Sequence, residues 1–372
     1  MPAHIMTKFK VFLTVAVVAT ILLIKQFWDA SSIQSGLNGM HRYIAMPFPT
    51  TPTPHLEQKT VHVHYYNMPH WITVSVFNRC EYKCTMTYGS KGYDAAKVVM
   101  FQGPRIKSQE KPPEKKPGQL WIMHGLEPPA YYWNNLSHWA NLFNWTFTYR
   151  RDSDVFQAPF RFHFLPNNVT ISALIKERKT KDRISAWTLS HCGAVSKRDE
   201  YTKLMRKSTD IHVYGGCGQY KCPLSNENHC DELLRKHYKY YLAFENSLCV
   251  DYNSKRPFKT YRHSPSTIPV MRGGVNYSLF FPPGSYLDTA DFDTADNLAS
   301  FMNKPDDENW NLEETFAWTT RYSIDDQSQH KDWCSLCEQL HSAKKFQRLY
   351  VNIHNWLYDK PRKACKDAKD LL

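Results

Sequence analysis

Two short apolar runs that stop abruptly in polar residues constrain this chain more than any other feature. Tyr240–Phe244 ends in Glu245 and Asn246, and Ile268–Met271 soon gives way to Gly273-Gly274. Runs this short, with no polar face, read as parallel strands buried between helices. In open α/β sheets, ligands settle at the carboxyl ends of such strands. Between the two runs stand Asp251, Tyr252, Lys255 and Arg256. That mixture suits a sugar nucleotide, with cations for phosphates, an acid or amide for hydroxyls and a ring for stacking. The residues alone therefore predict a nucleotide-type crevice in an α/β domain.

The 372 residues, 42% of them hydrophobic, suffice for two ordinary domains with real cores. A net charge of +12 favours anionic partners. Outside Lys107–Lys116 the cations are scattered and no nucleic-acid motif accompanies them, so the charge suits an anionic donor and an anionic lumenal or membrane setting. Ten cysteines and four Asn-x-Ser/Thr sequons, at Asn135, Asn144, Asn168 and Asn276, point to an oxidising compartment. The spacings Cys80-x3-Cys84 and Cys334-x2-Cys337 would bind zinc in a cytosolic protein and form disulfides in a lumenal one.

At the N-terminus, Lys8 and Lys10 precede the apolar run Val11–Ile24, which Lys25 closes. Counted over 9–28, with the lysines snorkelling, it reaches the length of about 20 residues that a span needs. The two readings are an uncleaved signal anchor and a cleaved signal peptide; the lack of a small-x-small cleavage site favours the anchor, behind a cytoplasmic tail at 1–8. Residues 29–58, with Pro-Phe-Pro-Thr-Thr-Pro-Thr-Pro at 47–54, read as a stem. Strands are expected at Val61–His64, Trp71–Phe77, Lys97–Phe101, Leu120–His124 and Ser185–Leu189. His62 and His64 share a strand face without an acidic or cysteine partner and read as surface residues. Asp293 is placed to cap a helix bearing Leu298, Phe301 and Met302. Phe346, Leu349, Tyr350, Ile353, Trp356 and Leu357 form a core-packing stripe of helical period.

Several blocks carry a resemblance. The stretch LAFENSLCVDY from Leu242, then IPVMRGGVNY and PPGSY, resembles the donor-site signature of the α1,3/α1,4-fucosyltransferases (glycosyltransferase family 10). Phe143-Asn144-Trp145-Thr146, Tyr149–Asp154, Ser190-His191-Cys192 and Tyr214–Gly218 follow the family's order as well. Two departures stand out. Lys255 occupies the family's glutamate position after Asp-Tyr, and Pro128 replaces the serine after Glu127.

The resemblance implies two facing Rossmann-like α/β domains (GT-B type) behind the anchor. The first, 59–180, would hold acceptor and base; the second, 181–345, GDP-fucose; 346–372 would be a C-terminal helix and tail. It implies L-fucose transfer from GDP-fucose, α1,3 and inverting, to a GlcNAc of a glycoprotein glycan, with an N-glycan core and N-acetyllactosamine both open as acceptor. The alternative, suggested by Lys255, is an impaired lumenal relative that only binds glycan or nucleotide sugar. Glu127 would be the base, and Arg198, Tyr214, Glu245, Asn246, Tyr252, Lys255, Arg256 and Gly274 the donor site. The family pairs its N-terminal cysteines with a C-terminal CxxC, so Cys80 and Cys84 would each bond one of Cys334 and Cys337. No cofactor or metal is expected: Asp291-x-Asp293 reads as a helix cap, Asp152-x-Asp154 belongs to the acceptor-side family run, and cations already stand ready for the diphosphate. The expected setting is the Golgi membrane, single-pass type II, with a lumenal body.

Overall fold

The computed structural model describes residues 59–107, 110–132, 136–165, 169–221, 227–342, 348–358 and 363–371. The expected tail, anchor and stem lie outside them, as do Cys222, Phe346 and the sequons at Asn135 and Asn168. Among the described residues, no helix is long and apolar enough to cross a membrane.

Six strands, β1 (Val61–Tyr65), β2 (Cys84–Tyr88), β3 (Val98–Gln102), β4 (Leu120–Gly125), β5 (Trp145–Thr148) and β6 (Val155–Phe156), form an all-parallel sheet in the order β2-β1-β3-β4-β5-β6. β3 is buried along its whole length, as the apolar run VVMFQ requires of a central strand. β7 (Arg161–His163) pairs antiparallel with β13 (Ser323–Asp325). The second parallel sheet comprises β8 (Arg183–Thr188), β9 (Ile211–Tyr214), β10 (Tyr238–Phe244), β11 (Ile268–Arg272) and β12 (Leu287–Asp288), ordered β12-β11-β10-β8-β9. The two runs singled out in the sequence are neighbours in register, Tyr240 opposite Ile268 and Phe244 opposite Arg272. From β8 the chain proceeds outward to β9 and then returns to the other side of β8 as β10, so the strand order reverses between β8 and β10. That is where a doubly wound sheet opens its binding crevice.

Several expectations need correction. Trp71–Phe77 is not a strand: Val74–Phe77 is a 3-10 helix and Trp71 is 62% exposed. The strand is Cys84–Tyr88, an edge strand whose central Met86 alone is buried, so it lacks an apolar pattern to read. Thr294 rather than Asp293 caps the helix Ala295–Asn303, its hydroxyl accepting from Asn297 N at 3.1 Å. The helical stripe shrinks to Ile353–Tyr358, with Leu349 exposed.

Two helices cross the expected division between the lobes. Helix Ile171–Lys179 packs Leu174, Ile171 and Ile175 into the core of the second lobe. Helix Ser328–His341 crosses back and buries Trp333, Leu336 and Leu340 under the first sheet. Tyr350, Ile353 and Leu357 cover that sheet's other face. The lobes therefore exchange chain repeatedly, which ties their relative position to core packing.

Candidate functional site

The crevice between β8 and β10 is lined by the polar residues that stopped the apolar runs. Glu245 is 1% exposed; its Oε1 accepts from Ser254 N at 2.8 Å. Its Oε2 is buried without a hydrogen-bond partner among the described residues, and so are Asn246 Oδ1, Ser247 Oγ and both amide atoms of Asn253. Buried polar atoms normally find partners, so a cluster of orphans on one loop marks a place built for a ligand or ordered water. Arg256 reaches across the crevice: its Nη1 donates to Thr188 O, at the end of β8, at 3.0 Å. Its positive charge opposes the rise that burial imposes on the Glu245 carboxyl pKa.

The loop is held in an unusual shape. Asp251 has φ 61°, in the left-handed region, and its carboxylate accepts from Arg151 Nε at 2.8 Å and Arg151 N at 3.1 Å. A Cβ on Gly274 would stand 2.5–2.6 Å from the backbone of Leu248 and Cys249, so only glycine lets the β11 loop approach there. Tyr252 is 6% exposed and meets Tyr149 of the first lobe edge-on, with ring centroids 5.2 Å apart. Its phenol pKa is pushed up by burial, then by the fields of Glu245 and Glu127. Tyr252 thus stands between an acid of each lobe.

Glu127 follows β4 and is exposed as a residue, yet burial around its carboxyl raises the pKa, with His191 acting in the opposite direction. His191 lies just past β8, exposed, beside the Cys192–Cys217 disulfide that closes the ends of β8 and β9. A carboxylate with a raised pKa facing a crevice from the opposite lobe can accept a proton from a hydroxyl.

The other expected donor residues fall in different places. Arg198 opens the helix Arg198–Met205 and is fully buried, donating to Phe244 O at 3.0 Å and His191 O at 2.9 Å. Burial and the neighbouring Arg256 push its pKa down to about 10. Its guanidinium braces the crevice ends through those two carbonyls, with Nε buried and without a partner among the described residues. Tyr214 points away from the crevice, its hydroxyl 2.7 Å from that of Tyr238 in an interior aromatic cluster. Lys255 is exposed beside the Phe160 ring, and its pKa is lowered by burial and by Arg262. Residues not assigned a role from the sequence are His191, Ser254 and Asn253; the signals for His191 were its place directly after an apolar run and within the Ser190-His191-Cys192 block.

The remaining expectations concern staples, metals and glycans. Cys80 bonds Cys334 and Cys84 bonds Cys337, and Cys249 bonds Cys365. His330 and His341 each lie near one of the first two bridges, whose sulfurs are already spent on each other. His62 is exposed as expected, but His64 is 4% exposed, a correction to its surface reading; the two bond the Thr85 and Thr87 hydroxyls and Gly89 O along the neighbouring strand β2 and just past it. Asp152 pairs with Arg150 at 2.8 Å, and Asp154 accepts from Thr146 N and Tyr350 OH, each at 2.8 Å. Asn144 accepts from Trp121 N at 2.9 Å and donates to Arg348 O at 3.1 Å, with Thr146 fully buried, so both amide atoms of this sequon are engaged in the fold. Asn276 is exposed, accepting from Ser278 Oγ at 2.7 Å.

Comparison with known proteins places the chain in a family. Residues 58–160 match the family model for the fucosyltransferase N-terminal region, and residues 178–356 match that for the C-terminal region of glycosyltransferase family 10 (fucosyltransferase). Alpha-(1,3)-fucosyltransferase C of Drosophila melanogaster is 30% identical over 270 residues, covering 68% of this chain and 62% of the relative. Glycoprotein 3-alpha-L-fucosyltransferase A of the same organism is 27% identical over 285 residues, 73% of this chain and 54% of the relative. A 3-galactosyl-N-acetylglucosaminide 4-alpha-L-fucosyltransferase of Bos taurus is 29% identical over 279 residues, 73% of this chain and 74% of the relative. The chain thus spans roughly three fifths and just over half the length of the two insect relatives. With both family regions matched in order around one cleft, the chain belongs to glycosyltransferase family 10, the fucosyltransferases.

Proposed function

We propose that the protein transfers L-fucose from GDP-fucose to a GlcNAc hydroxyl of a glycoprotein glycan, in α1,3 linkage and with inversion. The observation that carries this reading is the setting of Tyr252, which lies in the fields of Glu127 from the first lobe and of Glu245 and Arg256 from the second, with the Arg256 guanidinium reaching Thr188 O at the end of β8. The names of the insect relatives support the linkage, and one of them names a glycoprotein acceptor.

In the proposed reaction the Glu127 carboxylate takes the proton of the acceptor hydroxyl as its oxygen bonds to C1 of fucose. The bond from C1 to the β-phosphate oxygen breaks on the opposite face, and the electron pair leaves with GDP. Arg256, backbone N–H groups around Asn246 and Gly274, and Lys255 at the rim offset the charge that builds on the diphosphate. Glu245 and Asn246 offer the nucleotide sugar hydrogen-bonding atoms that now lack partners, and Tyr252 walls the site toward Glu127. Arg198 and Tyr214 serve it indirectly, the first by bracing the crevice and the second within the adjoining core. Transfer proceeds without a metal ion in this reading, since Asp152 and Asp154 are engaged by Arg150, Thr146 and Tyr350. The acceptor is an N-glycan or N-acetyllactosamine, Asn276 carries a glycan, and residues 9–28 anchor the lumenal body in the Golgi membrane.

The test is incubation of the protein with GDP-fucose and an array of N-glycans and lactosamines. Fucosylated product is expected on at least one class, and Glu127→Gln should abolish it while GDP binding persists. Loss of both in that variant would make Glu127 a structural residue.

A further inference from the structure

The stretch 363–371 has no part in the chemistry just described, yet it is fastened to the donor loop at several points. Cys365 bonds Cys249, and around that bridge Val250 N donates to Ala364 O and Lys366 N to Leu248 O, each at 2.8 Å. Five residues on, the Asp370 carboxylate grips Arg272 with both oxygens, accepting from Nε at 2.6 Å and Nη2 at 2.7 Å.

Arg272 is 1% exposed and is the last residue of β11. Its Nη1 donates to Ser196 O at 2.8 Å, and its carbonyl accepts from Glu245 N at 2.9 Å. Ser196 in turn donates through Oγ to Glu245 O at 2.7 Å and through N to Asn246 O at 3.1 Å. Asp370 is therefore two hydrogen bonds from the crevice. Upstream, Ile353 and Leu357 are buried in the first lobe, and Ala364 N donates to Tyr358 O at 3.0 Å. The segment thus runs from the lobe that carries Glu127 to the loop that carries Tyr252. Leu126, next to Glu127, packs into the same small cluster as Tyr149, Cys249, Tyr252 and Cys365.

We propose that Cys365–Asp370 is a positioning strap: Cys365 through Cys249, and Asp370 through Arg272 and Ser196, hold the 245–254 loop in register with Glu127. The proposal rests on that loop being the donor site. A buried guanidinium that loses its carboxylate is left uncompensated, so its neighbours must move to solvate it. The residues that would move are Ser196, Glu245 and Asn246. Asp370, with its side chain 41% exposed, can be changed without emptying a core position.

The experiment compares wild type, Asp370→Asn, Asp370→Glu and Cys365→Ser. Amide hydrogen exchange reads the strap alone: faster exchange is expected in Asp370→Asn and Cys365→Ser at 194–197 and 245–254. Steady-state kinetics then read its purpose. The KM for GDP-fucose should rise roughly ten-fold in Asp370→Asn, the scale of a charged hydrogen-bonded pair, with the acceptor KM unchanged and Asp370→Glu restoring most of the loss. Unchanged exchange in both variants, or a lower melting temperature with unaltered KM, would overturn the strap. A wild type that ignores GDP would instead overturn the donor-site reading, whatever the exchange pattern.

Discussion

Two buried polar clusters, one in each lobe, treat their groups in opposite ways. Under the first sheet, Tyr65, Gln102, His124 and Gln157 form a closed chain: Tyr65 OH lies 2.5 Å from Gln102 Oε1 and 2.6 Å from His124 Nδ1, and His124 Nε2 lies 2.7 Å from Gln157 Oε1. The chain ties β1, β3 and β4 to residue 157, just past β6, and its members satisfy one another. At the second sheet's crevice, Glu245, Asn246, Ser247 and Asn253 keep buried atoms without partners among the described residues. A satisfied network rigidifies a scaffold, whereas an unsatisfied one costs stability unless something fills it. The first lobe is thus a platform that presents one acid, and the second a receptacle.

That contrast can be broken by mutation. Glu127→Gln should lower kcat by about 10²–10⁴, the usual worth of general-base catalysis, without altering stability or GDP affinity; initial rates and calorimetry check this. His124→Leu should leave GDP affinity intact yet cost about 2–3 kcal/mol in denaturant unfolding, because Tyr65 and Gln157 lose a buried partner. Arg256→Ala should do the reverse, weakening GDP binding roughly 10–30-fold, the scale of one charge-assisted contact, with little change in stability.

A pH series sharpens the comparison at smaller amplitude. Burial pushes His124 down to about 4. The unfolded histidine binds a proton from about pH 6.5 downward, so the native state binds fewer protons in the window between. Its share of stability should therefore be present above about pH 6.5 and drain away toward pH 4, as thermal unfolding would record. Glu127 has a raised pKa, so the acid limb of kcat should sit above the ordinary carboxylate range and vanish in Glu127→Gln. The smallest expected effect is none at all: EDTA should leave the rate unchanged.

Much of the second lobe was legible because its strands are apolar on both faces and stop at functional residues. Tyr238–Phe244 and Ile268–Arg272 needed no partner to be recognised. Edge strand Cys84–Tyr88 was not legible, since threonines face solvent on either side of Met86. Arg198 illustrates a subtler limit. An arginine at a helix start matches a phosphate site in sequence, but only the fold reveals that two carbonyls already occupy it. The crossing of Ser328–His341 beneath the first sheet is a tertiary choice that no local pattern encodes.

The central claim is that a guanosine diphosphate occupies the crevice between β8 and β10, opposite Glu127. Calorimetric titration of GDP into wild type, Glu127→Gln and Arg256→Ala tests it most directly. The account predicts equal affinity in the first two and clearly weaker binding in the third. Absence of binding to folded wild-type protein, or binding indifferent to Arg256, would contradict it.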